Sequence, residues 1–556
     1  MFEYITRDIS FDEVSIKNLK DSIPTYYNFP CVYLIYCNKQ KQLYIGETTN
    51  ILNRLKQHIK SDSKNKLKNV TLILSHFFNK SAVLDIESNL IQNMVGENSF
   101  KLLNANDGIV NHQYYQKDQY LETFQNIWNE KLLKEKNIVK KDLLDIQNTD
   151  LFKYSPYKSL SDDQYNAVKV YLESLLNTEV QSTFIEGSAG TGKTIVAVYI
   201  IKLLMSEIDF DDIYEETENH ELLLLADKVK NKLAKGRKLK IALVVPMTSL
   251  RSTLQNVFKS IYGLSKNMVI GSNDVKKEHY DLLIVDESHR LKQRKNITGY
   301  GEFDKTNKHF NLDNNGTELD WIILSSNKQL FFYDSKQSIR PSDVDKKAFE
   351  MIKQNSNIIS LNSQMRVQGG DDYISFIDSL LSCSKIKCFN SNNYELRLFE
   401  SMKDLVDCLQ EKENSHGLCR LISGYSWQWV SKNKDLPDVV IDGVSLRWNK
   451  TAKDWINSTT DVTEMGCIHT TQGYDLNYAG IIFGTDITYN KITNKIEVIK
   501  HNYYDRNGKA GINEDTLHGY IINIYKTIMY RGIKGTYIYC CDENLREYFS
   551  KYIKTI

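Results

Sequence analysis

A chain of 556 residues exceeds what one hydrophobic core sustains and points to several domains. With 41% hydrophobic and 25% charged residues it has the make-up of globular domains, which excludes a fibrous or disordered chain. The net charge of +1 excludes a global field for nucleic acid, so any such contact must come from local patches. Nine scattered cysteines, without a CxxC pair, argue against a zinc ribbon and a secreted disulfide framework and suit buried thiols in a reducing compartment. The N-terminus carries acids where a signal peptide needs a basic head, and the longest apolar run, near Ile195, is cut by Lys202. A cytoplasmic location without a membrane partner is therefore expected.

In chain order, Tyr33–Tyr36 and Leu43–Ile45 are strand-like runs joined by the polar turn 38–42, which reads as a β-hairpin. Asn50 is placed to cap a helix over 51–59, on which Arg54 and His58, four apart, share one face. A second amphipathic helix is predicted from Ala82 to Met94, with Val83, Ile86, Leu90 and Met94 on its core side and Glu87 beside them. Between Lys39 and Lys68 eight basic residues stand against two acids, a surface suited to tracking phosphates or simply a solvated face.

Residues 30 to 106 resemble the GIY-YIG nucleases. Cys31-Val32-Tyr33 stands at the first motif and Tyr44-Ile45-Gly46 at the second, followed by Arg54, His58, Glu87 and Asn104. The resemblance implies phosphodiester hydrolysis with one divalent metal, Mg²⁺ or Mn²⁺. It implies Glu87 as metal ligand and Arg54 as the group that stabilises the pentavalent phosphate. Tyr44, or Tyr33 with His58, would deprotonate the attacking water. Cys31 departs from the first motif's glycine, which puts the local backbone of that strand in question.

From 111 to 148 the chain turns Gln, Lys, Glu and Asp rich, with Leu121, Phe124, Ile127, Trp128, Leu132 and Leu133 at helical spacing, and reads as one or two linking helices. Gln164 follows, where its amide could read the donor and acceptor of an adenine edge. The stretch GSAGTGKT, Gly187 to Thr194, lies between an apolar strand-like run and a helix-like one and reads as a phosphate-binding loop. The backbone of Gly187, Gly190, Thr191 and Gly192 would surround phosphate oxygens, Lys193 would reach the β and γ phosphates, and Thr194 would hold Mg²⁺. Eight acids over 207–221 and seven basic residues over 228–240 read as a helical surface insertion. Residues 281–287 read as a strand ending in Asp286, for Mg²⁺, and Glu287, for the hydrolytic water. The runs 321–324 and 330–334 are expected to continue the sheet, with Gln337 placed as a γ-phosphate sensor.

These stretches, with four further ones, resemble the superfamily 1 core of the Schlafen-like DNA/RNA helicases over about residues 158 to 545. The later ones are Gln364-Met365-Arg366, the run 468–475 with Gln472 and Gly473, the run 525–532 with Arg531, and the tryptophan segments at 426–429 and 447–449. The resemblance implies two RecA-like lobes with ATP in the cleft, Arg366 and Arg531 as arginine fingers, and Gln472 with Asp475 coupling nucleotide state to strand binding. Tyr530 stands where a small residue is expected before that final arginine.

The sequence thus predicts an α/β protein: a small GIY-YIG nuclease domain (1–110), a helical linker (111–154), and two RecA-like lobes with parallel sheets (155–345 and 346–556). The function expected is an ATP-dependent nuclease motor with ATP, Mg²⁺ and one nuclease metal. Its partners are nucleic acid, DNA before RNA, and either a second copy of the chain or a second defence-system protein. Bacterial anti-phage or restriction-like defence leads. A repair or recombination factor and an ATP-gated clamp with an inactive nuclease are the alternatives.

Overall fold

The computed structural model describes every residue except 105–113, 178, 207–220, 336, 338–339, 364–366, 432–435, 450–454 and 472–473. Two compact units result: one of residues 1–178, 194–239 and 254–268, the other of 179–193, 240–253 and 269–556.

In the first unit β1 (Ile5–Ser10), β2 (Cys31–Cys37), β3 (Gln42–Thr48), β4 (Asn69–Leu74) and β5 (Lys101–Leu102) form one sheet in the order β1-β4-β2-β3-β5. The β2–β3 hairpin pairs Tyr33 with Gly46 and Tyr44 with Ile35. Because alternate strand residues share a face, Tyr33 and Tyr44 point to the same side. Cys31, at the departure from the family glycine, is an ordinary strand residue paired with Thr48 and Leu74 and fully buried. Its backbone needs no glycine, and burial pushes its thiol pKa upward.

Asn50 caps the helix Ile51–His58, its side chain accepting from Asn53 N. The helix Lys80–Glu97 runs three residues past the expected Met94 and stops at Asn98, which takes the left-handed conformation at φ 59°. Its last carboxylate, Glu97, accepts from Lys140 N and Lys141 N at 3.0 Å each and so ties the connector to the nuclease fold. In the connector, Lys117–Asn126 continues as a π-helix over Ile127–Glu135, where the buried Trp128 donates to Lys141 O at 3.1 Å. The same unit contains the helices Asp162–Leu175 and Glu221–Ala234, joined by a Lys169–Glu221 ion pair at 2.6 Å. The acidic tract expected at 207–221 lies, apart from Glu221, outside the described residues.

Among the described residues the second unit holds two large sheets and one antiparallel pair, β18 (Ile487–Asn490) with β19 (Lys495–Val498). Six parallel strands run in the order β11-β6-β10-β9-β7-β8: β6 (Ser182–Gly187), β7 (Ile241–Val244), β8 (Val269–Ile270), β9 (Tyr280–Val285), β10 (Ser326–Tyr333) and β11 (Asn357–Leu361). Strands buried on both faces read as continuous apolar runs, as β9 does with all six residues buried. The other sheet is β12-β20-β17-β13-β16-β15-β14, built from β12 (Glu395–Phe399), β13 (Cys419–Ser423), β14 (Val439–Ile441), β15 (Val444–Trp448), β16 (Glu464–Cys467), β17 (Leu476–Phe483) and β20 (Gly532–Cys540). Its pairs are parallel except β14 with β15.

One expectation is corrected. Residues 321–324 belong to the helix Glu318–Leu324, not to the sheet. Thr317 and Asp320 form a capping box that starts the helix, and the buried Trp321 indole finds its partner in Asn307 Oδ1 at 2.6 Å. A short apolar run fits a buried helix as well as a strand, and here the cap decides.

Candidate active sites

The nuclease side chains meet on the hairpin. Tyr33 Oη lies 2.8 Å from His58 Nε2, and Arg54 Nε donates to the same oxygen at 3.3 Å. Tyr44 stands edge-on to the His58 ring at 4.9 Å between centroids, with Lys64 Nζ 4.2 Å over the Tyr44 ring. All five side chains are buried. A Cβ on Gly46 would fall 2.3 Å from Tyr33 Oη, so only glycine lets that ring cross β3. Burial, with the charges of Lys64 and Arg54, holds the His58 pKa well below its ordinary value of 6.5 and keeps the ring neutral. Asn104 clasps the Ile45 backbone, accepting from its N–H at 3.1 Å and donating to its carbonyl at 2.7 Å, and so fixes the strand that carries Tyr44. Glu87 sits half-buried on the Lys80–Glu97 helix. Nothing in SDSKNK sets Lys64 apart from a solvated lysine in the sequence.

In the phosphate loop, Gly190 and Gly192 take φ of 89° and 79°, which lets backbone N–H groups turn inward. Thr191 Oγ1 donates to Ser188 O at 3.1 Å, and Lys193 Nζ donates to Gly187 O at 2.8 Å and Ser188 O at 2.9 Å, with Asp334 at 3.8 Å. The lysine is thus held by its own loop. Thr194 follows it near the start of the helix Lys193–Met205. Gln337 Nε2 donates to Asp334 Oδ2 at 2.7 Å, which links the expected sensor to the carboxylate beside Lys193.

Asp286 is fully buried at the end of β9, and its Oδ1 accepts from Glu287 N at 3.0 Å. Glu287 takes φ 51°, a strained conformation for a residue with a Cβ, and His289 Nε2 stands 3.0 Å from its Oε2. Burial opposes its charge, yet the close approach of the His289 ring and the positive charges of Lys193 and Arg531 hold the Glu287 carboxyl well below the usual range. Arg531, buried immediately before β20, donates to Tyr474 O at 3.2 Å. Tyr530 turns away to donate to Asp378 Oδ1 at 3.0 Å. Gln164 Oε1 accepts from Ser161 N at 3.1 Å within a capping box. Arg366, Gln472 and Gly473 lie outside the described residues.

Residues 181–542 match the family of the Schlafen group 3, DNA/RNA helicase domain. The chain belongs to this family. Residues 29–95 match the GIY-YIG catalytic domain, so this Schlafen group 3 chain joins an ATPase helicase and an endonuclease acting on nucleic acid. Domains of these two kinds use ATP and a divalent metal. The chain is 25% identical over 402 residues to the Uncharacterized protein YPL245W of Saccharomyces cerevisiae, covering 65% of this chain and 82% of the yeast one. Similar solved structures include the arterivirus nonstructural protein 10 helicase, at 9% identity and TM-score 0.27 over 70% of this chain and 64% of that one. A Bacteroides Pif1 bound to ssDNA is 11% identical with TM-score 0.25, over 68% and 92% of the two chains. The chain spans just under two thirds of the arterivirus helicase's length. Among the described residues no helix is long and apolar enough to cross a membrane.

Proposed function

We propose that this chain is an ATP-driven DNA endonuclease in which the motor governs a metal-dependent cutter. The single observation that carries the reading is the phosphate loop, with Gly190 and Gly192 at positive φ and Lys193 drawn onto its carbonyls, in a chain with its own nuclease cluster.

Both metal sites fit a hard divalent ion. Glu87 and Asp286 offer carboxylate oxygens and Thr194 a hydroxyl, a donor set of oxygens and not the nitrogen and sulfur set that zinc favours. Mg²⁺ needs only one or two carboxylates, keeping water or phosphate oxygens as its other ligands. Glu87 would hold the nuclease ion, and Thr194 with Asp286 the motor ion. When bound, each ion supplies Lewis-acid polarisation of a phosphoryl oxygen.

The chain's own groups do the rest. Neutral His58 accepts the Tyr33 proton, which leaves the phenolic oxygen to take the Arg54 N–H and aims the guanidinium at the developing phosphate charge. Tyr44, packed against His58, stands with that pair as the proton acceptor for water. In the motor, Glu287 orients the hydrolytic water, Arg531 binds the charge that develops on the γ-phosphate, and Lys193 leaves its loop carbonyls for phosphate oxygens. Arg366 serves with Arg531, Gln337 senses the γ-phosphate, Gln164 reads the base, Gly473 lies with Gln472 at the nucleotide, and Gln472 with Asp475 couples nucleotide state to strand binding. Restriction-like bacterial defence against foreign DNA suits a cutter joined to a motor. The free thiols among the cysteines suit the cytoplasm.

The experiment is a panel of DNA and RNA substrates with Mg²⁺, with and without ATP, scored for cleavage and phosphate release. DNA cleavage lost in Glu87→Ala and phosphate release lost in Lys193→Ala are expected. Activity retained in either variant removes that half of the proposal.

A further inference from the structure

The turn of the β2–β3 hairpin, β5 and the C-terminal half of the helix Thr248–Ser260, all in the first unit, line a groove of about 510 Å³. That size lies within the roughly 300–1,000 Å³ of pockets that take ligands. Among the described residues its walls carry Lys41, Lys101 and Lys259 with Asn98, Asn256 and Phe100, and no Asp or Glu. All three lysines are exposed, and among the described residues none forms an ion pair.

Their placement is built. Lys101 N donates to Lys41 O at 2.7 Å, Lys41 and Asn98 both take the left-handed conformation, and Lys41 Nζ packs 5.5 Å from the Phe100 ring centroid. Like charges held around one groove repel, so the chemical complement is a polyanion. Lys41 precedes Tyr44 by three strand positions, about 10 Å along β3 at roughly 3.3 Å per residue. The groove therefore opens close to the nuclease cluster while using none of its residues.

We propose that this groove binds the phosphodiester backbone of a single nucleic-acid strand and guides it to the cutting hairpin. The inference rests on the reading of the chain as a nucleic-acid nuclease. Lysines bind phosphates as point charges, and the asparagine amides add hydrogen-bond donors without base preference.

The test is fluorescence anisotropy of the full chain with short labelled oligothymidylate and oligouridylate over a KCl series. It compares the parent with the triple variant Lys41→Ala, Lys101→Ala, Lys259→Ala and with a control triple at the exposed Lys346, Lys347 and Lys403. Each single-strand phosphate neutralised adds about 0.7 to the salt slope, so the groove variant should lose about 2 from the slope and at least about tenfold in affinity at low salt. Its basal ATP hydrolysis should stay at the parental rate. The two oligonucleotide arms tell DNA from RNA. An unchanged slope, an equal loss in the control triple, binding of duplex alone, or no binding by the parent overturns the proposal. A parent that binds these strands through the lysines yet neither cuts nor hydrolyses ATP instead overturns the functional reading.

Discussion

The two catalytic centres are assembled in opposite ways. The nuclease cluster draws Tyr33, Tyr44, Arg54, His58 and Lys64 from a stretch of 32 residues, already in contact on a hairpin, the helix after it and the turn that follows. The motor centre draws Lys193, Glu287 and Arg531 from positions 338 residues apart, and its lysine is engaged by its own loop. A centre made of local contacts is ordered before substrate arrives, whereas one made of distant segments can be opened and closed. The first is suited to cutting on contact, the second to gating when that cut occurs.

Removing Arg531 tests the distant assembly with the largest expected effect. An arginine that stabilises transferring phosphate is worth about 10³-fold or more, so Arg531→Ala should lower ATP hydrolysis by that order while leaving nucleotide binding near parental. A parental rate would make Arg531 a structural cation that merely holds Tyr474 O. Glu87→Gln comes next: if its carboxylate holds the metal, several kcal/mol of transition-state stabilisation are lost, and cleavage should drop by about 10³-fold at unchanged ATP hydrolysis. Loss of both activities together would place Glu87 in the fold instead.

Overpacking the local centre should be felt in the fold. In Gly46→Ala the new methyl meets Tyr33 Oη, and a destabilisation of about 1–3 kcal/mol is expected in thermal unfolding of the nuclease region, with cleavage reduced. A variant as stable as the parent would show that Tyr33 moves aside freely. The smallest effect is the pH response. His58 is depressed in the folded state, so the unfolded chain takes up a proton at about pH 6.5 that the folded chain refuses. The stability this contributes is complete above pH 6.5 and is lost as pH falls through that value. Cleavage should therefore run level through pH 6.5 and decline only in more acid solution, and an acid limb centred at 6.5 would mean that His58 titrates as a solvated histidine.

The same contrast explains what was legible in the sequence. The hairpin, the Asn50 cap, the phosphate loop and the Asp286-Glu287 pair are local patterns, and local patterns survive in one dimension. Lys64 over Tyr44, His289 against Glu287 and Asp334 between Lys193 and Gln337 depend on tertiary proximity, which spacing does not encode. The sequence pattern around Trp321 reads as a strand because its apolar run is too short for periodicity to decide, while the Thr317 cap that does decide stands outside the run. The lysine groove is illegible in the sequence for the same reason, its cations being 60 and 158 residues apart along the chain.

The central claim, that the gated centre controls the preformed one, is tested most directly by the rate of Mg²⁺-dependent DNA cleavage with and without ATP in the parent and in Lys193→Ala. The account predicts acceleration by ATP in the parent and none in the variant, with the ATP-independent rate equal in both. Equal acceleration in both proteins, or none in either, would contradict it.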